Sequence, residues 1–185
     1  MSKKIIVLNG SPRANGNTTM LCEAFTQGAQ SSGHRVTRFD LHRMNIHGCL
    51  GCYKGGKDIS SPCAQKDDME KIYPVYREAD IVVLASPMYY WSVSGQLKTA
   101  FDRLFAVAET DENFRNPVKD CIMLMAAEGD FESNWKPITD YYQGLLGHLE
   151  WNDLGMVRAG GVNHIGDIKG KPSLEEARTL GESIQ

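Results

Sequence analysis

The sequence predicts an α/β protein of three layers, a five-stranded parallel sheet in the order 2-1-3-4-5 with helices on both faces. Three observations carry that prediction. The apolar runs Ile5–Leu8, Ile81–Ala85 and Cys121–Met125 are continuous, as in strands covered on both sides. Segments of helical periodicity separate the strands, the alternation that builds parallel sheets. The third and fourth strands are the most apolar, which fits this order and puts a ligand crevice at the switch point between strands one and three.

In chain order, Lys3–Leu8 is the first strand, and a helix begins near Asn17 or Thr18, with Leu21, Ala24, Phe25 and Gly28 at helical spacing. Ser31-Ser32-Gly33 stops it. His34–Leu41 alternates Thr37, Phe39 and Leu41 against Arg38 and Asp40, as an edge strand does. His42–Lys66 shows no periodicity and is broken by glycines, and ordered loops of that length usually carry function. Asp67-Asp68 cap a helix in which Pro74 marks a kink or early break. After the strand Asp80–Ala85 and the loop Ser86–Gly95 comes a helix with Leu97, Phe101, Leu104 and Phe105 on one stripe. Lys119–Ala126 is a strand, Glu132–Leu149 a long helix, Trp151–Arg158 a fifth strand and Ser173–Ile184 a last helix. Ser173 and Glu176 there have capping-box spacing.

Composition bounds the function. The 185 residues, 1–185, suit one domain, 42% hydrophobic and 23% charged, as in ordinary soluble proteins. A net charge of −3 recruits neither nucleic acid nor an anionic membrane. No apolar run is long enough to span a bilayer or act as a signal peptide, so the expectation is a cytoplasmic protein. Five cysteines, an odd number and partly clustered, suggest thiols or a metal site before a disulfide framework.

The segment organising the chain is Gly10-Ser11-Pro12-Arg13-Ala14-Asn15-Gly16-Asn17-Thr18-Thr19. A strand feeding a donor-rich loop and then a helix N-terminus forms an anion site, because the first helical N–H groups lack intrahelical partners. Ser11, Asn15, Asn17, Thr18 and Thr19 add side-chain donors, and Arg13 a guanidinium. Neither G-x-G-x-x-G nor G-x-x-x-x-G-K-[ST] is present, so a terminal phosphate monoester suits the loop better than a dinucleotide or triphosphate. The plainer reading is that these side chains cap the helix. Ser86-Pro87-Met88-Tyr89-Tyr90-Trp91-Ser92 leaves the neighbouring strand at the same end and flanks the same crevice. A phosphate cradle beside an aromatic wall fits a planar ring on a ribityl phosphate; the alternative for Tyr89, Tyr90 and Trp91 is packing or a subunit contact.

These two segments, with the continuation Gln96-Leu97-Lys98 and Phe101-Asp102-Arg103, resemble the flavodoxin-like NAD(P)H-dependent FMN reductase family, including its iron–sulfur flavoproteins. The resemblance implies a flavodoxin-like fold, non-covalent FMN and a homodimer or homotetramer. It implies that Ser11, Arg13, Asn15, Asn17, Thr18 and Thr19 hold the phosphate, and that Pro87, Met88, Tyr89, Tyr90 and Trp91 border the ring. Glu128 and Gly129 occupy its third flavin-contact position, where Glu128 either orients substrate or caps the next helix.

The cysteine segment departs from the family. Cys49 and Cys52 are followed by Gly55, where the iron–sulfur members carry a further cysteine, and then by Cys63. A cubane takes four thiolates, and the three here are one short; a zinc site borrowing a histidine such as His47 is little better favoured, so no metal is expected. A Cys52–Cys63 or Cys49–Cys63 disulfide is disfavoured in a reducing cytosol, and the plain reading is a loop shaping the substrate pocket. His34, His42, His148 and His164 stand alone, as surface or satisfied core residues.

The resulting expectation is an FMN oxidoreductase: hydride passes from NAD(P)H to FMN, then to a small acceptor such as a quinone, free flavin, nitro- or azo-compound. With no separate nicotinamide site, both substrates use one pocket in turn, giving ping-pong kinetics. The alternatives are a flavodoxin-like carrier docking to a redox protein, disfavoured by the modest charge, and a chain that keeps the fold without flavin.

Overall fold

Ile5 to Leu8 are buried on both faces of a sheet, which is why the run lacks polar alternation. The computed structural model describes all 185 residues. Strand β1 (Lys4–Asn9) lies between β2 (Arg35–Asp40) and β3 (Ile81–Pro87), and β4 (Asp120–Ala126) and β5 (Asn152–Ala159) follow. All neighbours are parallel, in the order β2-β1-β3-β4-β5. β2 is an edge, as its half-polar pattern predicts, and Gly155 at φ +131° takes up a bulge between β4 and β5.

Helices cover both faces. Beneath one lie Ile6, Leu8, Val82, Leu84 and Met123, packed on Ile72 and Tyr76 of α2 (Met69–Glu78), Leu97 of α3 (Gly95–Arg103) and Trp135 and Tyr142 of α5 (Glu132–Leu149). Beneath the other lie Ile5, Val7, Val83 and Leu124, packed on Leu21 and Phe25 of α1 (Asn17–Ser31) and Ala177 of α6 (Pro172–Glu182). Each such side chain contributes about 1.5–3 kcal/mol on full burial. α1 and α6 touch backbone to backbone at Gly28 and Gly181.

Three local expectations are corrected. α2 runs through Pro74 to Glu78, because burial of Ile72, Tyr73 and Tyr76 around the proline outweighs one lost hydrogen bond. The helix after Ser94 breaks at Leu104, and a short helix α4 (Phe105–Ala108) turns Phe105 outward instead of continuing the apolar stripe. The capping box at Ser173 does not form. Lys171 is the N-cap, Pro172 opens the helix, and the buried Ser173 Oγ has no partner. His34 is a satisfied core histidine, accepting from Lys3 N at Nδ1, which leaves Nε2 to donate to Ile184 O.

Candidate functional site

At the C-terminal end of β1 the chain folds on itself before α1 begins. The buried Asn9 accepts from Ser11 N at 3.1 Å and donates to Thr19 Oγ1 and Asp40 Oδ1. The carbonyl of Arg13 gathers Gly16 N, Ser11 Oγ and Thr19 Oγ1 at 3.0–3.1 Å. Gly16 is the N-cap, and a Cβ there would lie 2.9 Å from Ser11 Oγ. No side chain caps the helix, and no acidic residue stands in its first turn. Met20 is the first residue of α1 whose N–H finds an acceptor, Gly16 O at 3.0 Å; those of Asn17, Thr18 and Thr19 donate to nothing in the chain. The capping reading therefore fails. Three aligned donors at the positive end of a 15-residue helix are left for an anion.

The neighbouring loop is fastened to this one. Ser94 Oγ donates to Gly10 O at 2.7 Å, Ser94 N to Ser86 Oγ at 2.7 Å, and Gly10 N to Ala85 O at 2.8 Å. The two loops thus meet at the switch point and line one cleft of ≈ 180 Å³. Ser11, Arg13, Asn17 and Thr18 stand on one side, Pro87, Met88 and Tyr89 on the other, and Glu128 beside them. The volume is below that of most enclosed small-molecule sites. It is large enough for a small anion such as a phosphate.

The remaining expected residues stand elsewhere. Asn15 is exposed on the loop, and Thr19 lies beneath it, tied to Asn9 and Arg13 O. Tyr90 and Trp91 form an exposed hairpin tip at φ +47° and +59°. Gly129 is held by Asn134, whose Nδ2 donates to Gly129 O at 3.2 Å and reaches Met88 Sδ at 3.6 Å. Asn17 is already engaged: it donates to His164 O at 2.9 Å and accepts from Gly166 N and Ile168 N. Arg13 Nη1 donates to Asn163 O at 2.7 Å. Sequence reasoning missed this fourth wall, Ala126, Val162 and Asn163. Its one signal was Gly160-Gly161, a turn after β5 at the same end of the sheet.

A second cavity, ≈ 400 Å³, opens at the far end of α3 among Cys49, Cys52, Cys63, Tyr53, Arg103 and Phe105. The helix separates it from the Ser94 contact by about 13 Å along its axis. Its anchor is Arg103, paired with Asp67 at 2.6 Å with both side chains 1% exposed, and donating to His47 O at 2.7 Å.

Residues 3–133 match the model of a family described as NADPH-dependent FMN reductase. An iron-sulfur flavoprotein of Archaeoglobus fulgidus is 29% identical over 181 residues, 98% of this chain and 78% of that protein. Another, of Methanosarcina thermophila, is 26% identical over 98% of this chain and 92% of that one. The solved NAD(P)H:quinone oxidoreductase of Methanothermobacter marburgensis superposes with a TM-score of 0.78 at 21% identity, covering 98% of this chain and 96% of that one, and so shares the fold. The flavodoxin-like sheet order and the match over most of the chain agree: this protein belongs to the NADPH-dependent FMN reductase family.

Proposed function

We propose that the chain uses the switch-point cleft to hold FMN and passes reducing equivalents from NAD(P)H to a small acceptor, a quinone, free flavin, nitro- or azo-compound. The observation that supports this best is the trio of unpaired N–H groups at Asn17, Thr18 and Thr19, in a cleft shared with the β3 loop. Bound FMN would supply the hydride chemistry. The chain's residues bind and orient. The α1 N-terminus and Arg13 take the phosphate, Arg13 by leaving Asn163 O. Pro87, Met88 and Tyr89 set the edge along which the ring lies, and Asn134 braces Met88 against the loop after β4. No second nucleotide cradle is legible in the sequence, so both substrates take the same open face in turn. The rings of Phe105 and Phe114, stacked with centroids 6.4 Å apart and lining one hollow with the exposed Val118, suit burial in a homodimer or homotetramer.

The test is NAD(P)H oxidation by the FMN-loaded protein with a soluble quinone and no protein partner. Parallel double-reciprocal lines are expected. Intersecting lines reject the single pocket, and bleaching only when a reductase is added favours the carrier.

A further inference from the structure

The relatives named iron–sulfur flavoproteins imply a second redox group, and the residues of this chain do not fit it. A cubane takes four thiolates. Of the five cysteines, Cys22 and Cys121 are sealed beneath opposite faces of the sheet, where burial pushes each thiol up to about 12. Cys49, Cys52 and Cys63 remain.

The position that continues the Cys49–Cys52 spacing is Gly55, and it has no room for a side chain. A Cβ there would run into the Glu109 carboxylate and lie 2.7 Å from Pro62 O. Gly56, at φ +73°, donates to Pro62 O at 2.8 Å and is pressed against the main chain of Glu109. The loop has thus closed on Glu109 where a further ligand would stand. Cys63 Sγ, meanwhile, accepts from Arg103 Nη2 at 3.4 Å, and the ion pair with Asp67 fixes that guanidinium. Nowhere in the chain do three His, Cys, Asp or Glu side chains gather as a metal set.

We infer that the cysteine loop assembles no iron–sulfur cluster, that Cys49, Cys52 and Cys63 stand as free thiols around the ≈ 400 Å³ cavity, and that the flavin is the one redox cofactor of this protein, with a capacity of about two electrons per chain. The last clause rests on the flavin reading above.

The experiment treats the anaerobically purified, FMN-loaded protein with ferrous iron and sulfide under reducing conditions, then desalts it. Expected are no retained iron or sulfide and rapid reaction of Cys49, Cys52 and Cys63 with an aromatic disulfide reagent, Cys22 and Cys121 reacting only after unfolding. Dithionite titration should end at about two electrons per flavin. Retention of about four iron atoms with sulfide per chain, protection of the three thiols and an extra electron in the titration would overturn the inference. Retained zinc with the same protection would overturn the free-thiol assignment. Iron and thiol counts do not depend on flavin, so failure of the flavin reading shows separately, as a protein that ignores added FMN.

Discussion

Tyr89 and Ser92 exchange both main-chain hydrogen bonds, at 3.0 and 3.1 Å, and so force Tyr90 and Trp91 into the left-handed region. Two left-handed residues in a two-residue turn suit Asn-Gly; any other L-residue costs about 1–2 kcal/mol there. Yet this turn holds a tyrosine 95% exposed and a tryptophan 55% exposed. Strain kept at a solvent-facing tip motivates the proposal that the tip touches a substrate or cofactor. Tyr90→Asn with Trp91→Gly is therefore expected to raise the unfolding free energy by about 1–2 kcal/mol. The same change should lower kcat/KM about tenfold, a loss of roughly 1.4 kcal/mol in transition-state binding. Urea denaturation and steady-state rates check the two halves, and a variant unchanged in both leaves the tip without a role.

Asp67 gives a pH signature. Burial alone would raise its carboxyl; the Arg103 guanidinium and the His47 and Met69 N–H groups outweigh that and hold it below the ordinary carboxylate range. A group whose native value lies below its unfolded value of about 3.9 adds stability above that value and loses it as pH falls through the native one. Urea midpoints should therefore fall more steeply below about pH 4 in the wild type than in Asp67→Asn. At pH 7, Arg103→Leu should cost about 3–5 kcal/mol by stranding a buried carboxylate. Equal slopes for wild type and Asp67→Asn would mean that the carboxyl is not depressed.

The same residues show what a sequence discloses. β1, β3 and β4 were legible because strands covered on both faces must be apolar throughout, and α5 because its apolar spacing persists across Pro137. Pro74 misled because local propensity carries no record of how deeply Tyr73 and Tyr76 are buried. The two loops of the cleft were legible from strand order alone, since the order decides which strand ends are neighbours. Asn163 and Val162 were not, because Gly160-Gly161 marks a turn after β5 but not that the loop returns to Arg13 and Ala127. Likewise, nothing local shows that the Thr19 hydroxyl, a phosphate donor on its residue type, donates to Arg13 O.

That difference separates two neighbours in the anion cradle. Thr18, unlike Ser11 and Thr19, has no intramolecular bond to its hydroxyl, whereas the Asn17 amide fastens residues 164–168 to α1. Thr18→Val should leave the melting curve of the flavin-free protein in place and weaken FMN binding about tenfold, the worth of one hydrogen bond to a charged group. Asn17→Ala should lower stability by about 1–3 kcal/mol even without FMN, because it orphans buried groups. Fluorescence titration with FMN and thermal melts of the apoprotein read the split; identical behaviour of the two variants would reject it.

The contact between α1 and α6 reverses a familiar expectation. Glycine inside a helix is less favourable than alanine by about 1 kcal/mol, so Gly181→Ala ought to stabilise α6. Gly181 faces Gly28, however. A Cβ at 181 would meet Phe25 O and stand 2.7 Å from Ala29 N, and one at 28 would meet Arg178 O. These are backbone atoms of a packed helix pair, with no flexible side-chain end to give way. The helices would have to part along the contact that seals Phe25 and Ala177. Overpacking of this kind costs about 1–3 kcal/mol, enough to outweigh the propensity gain. Gly181→Ala and Gly28→Ala should each lower the urea midpoint, while Gly144→Ala on α5, where a Cβ meets open space, should raise it. A rise at Gly181 would mean that α6 rides on α1 loosely enough to move.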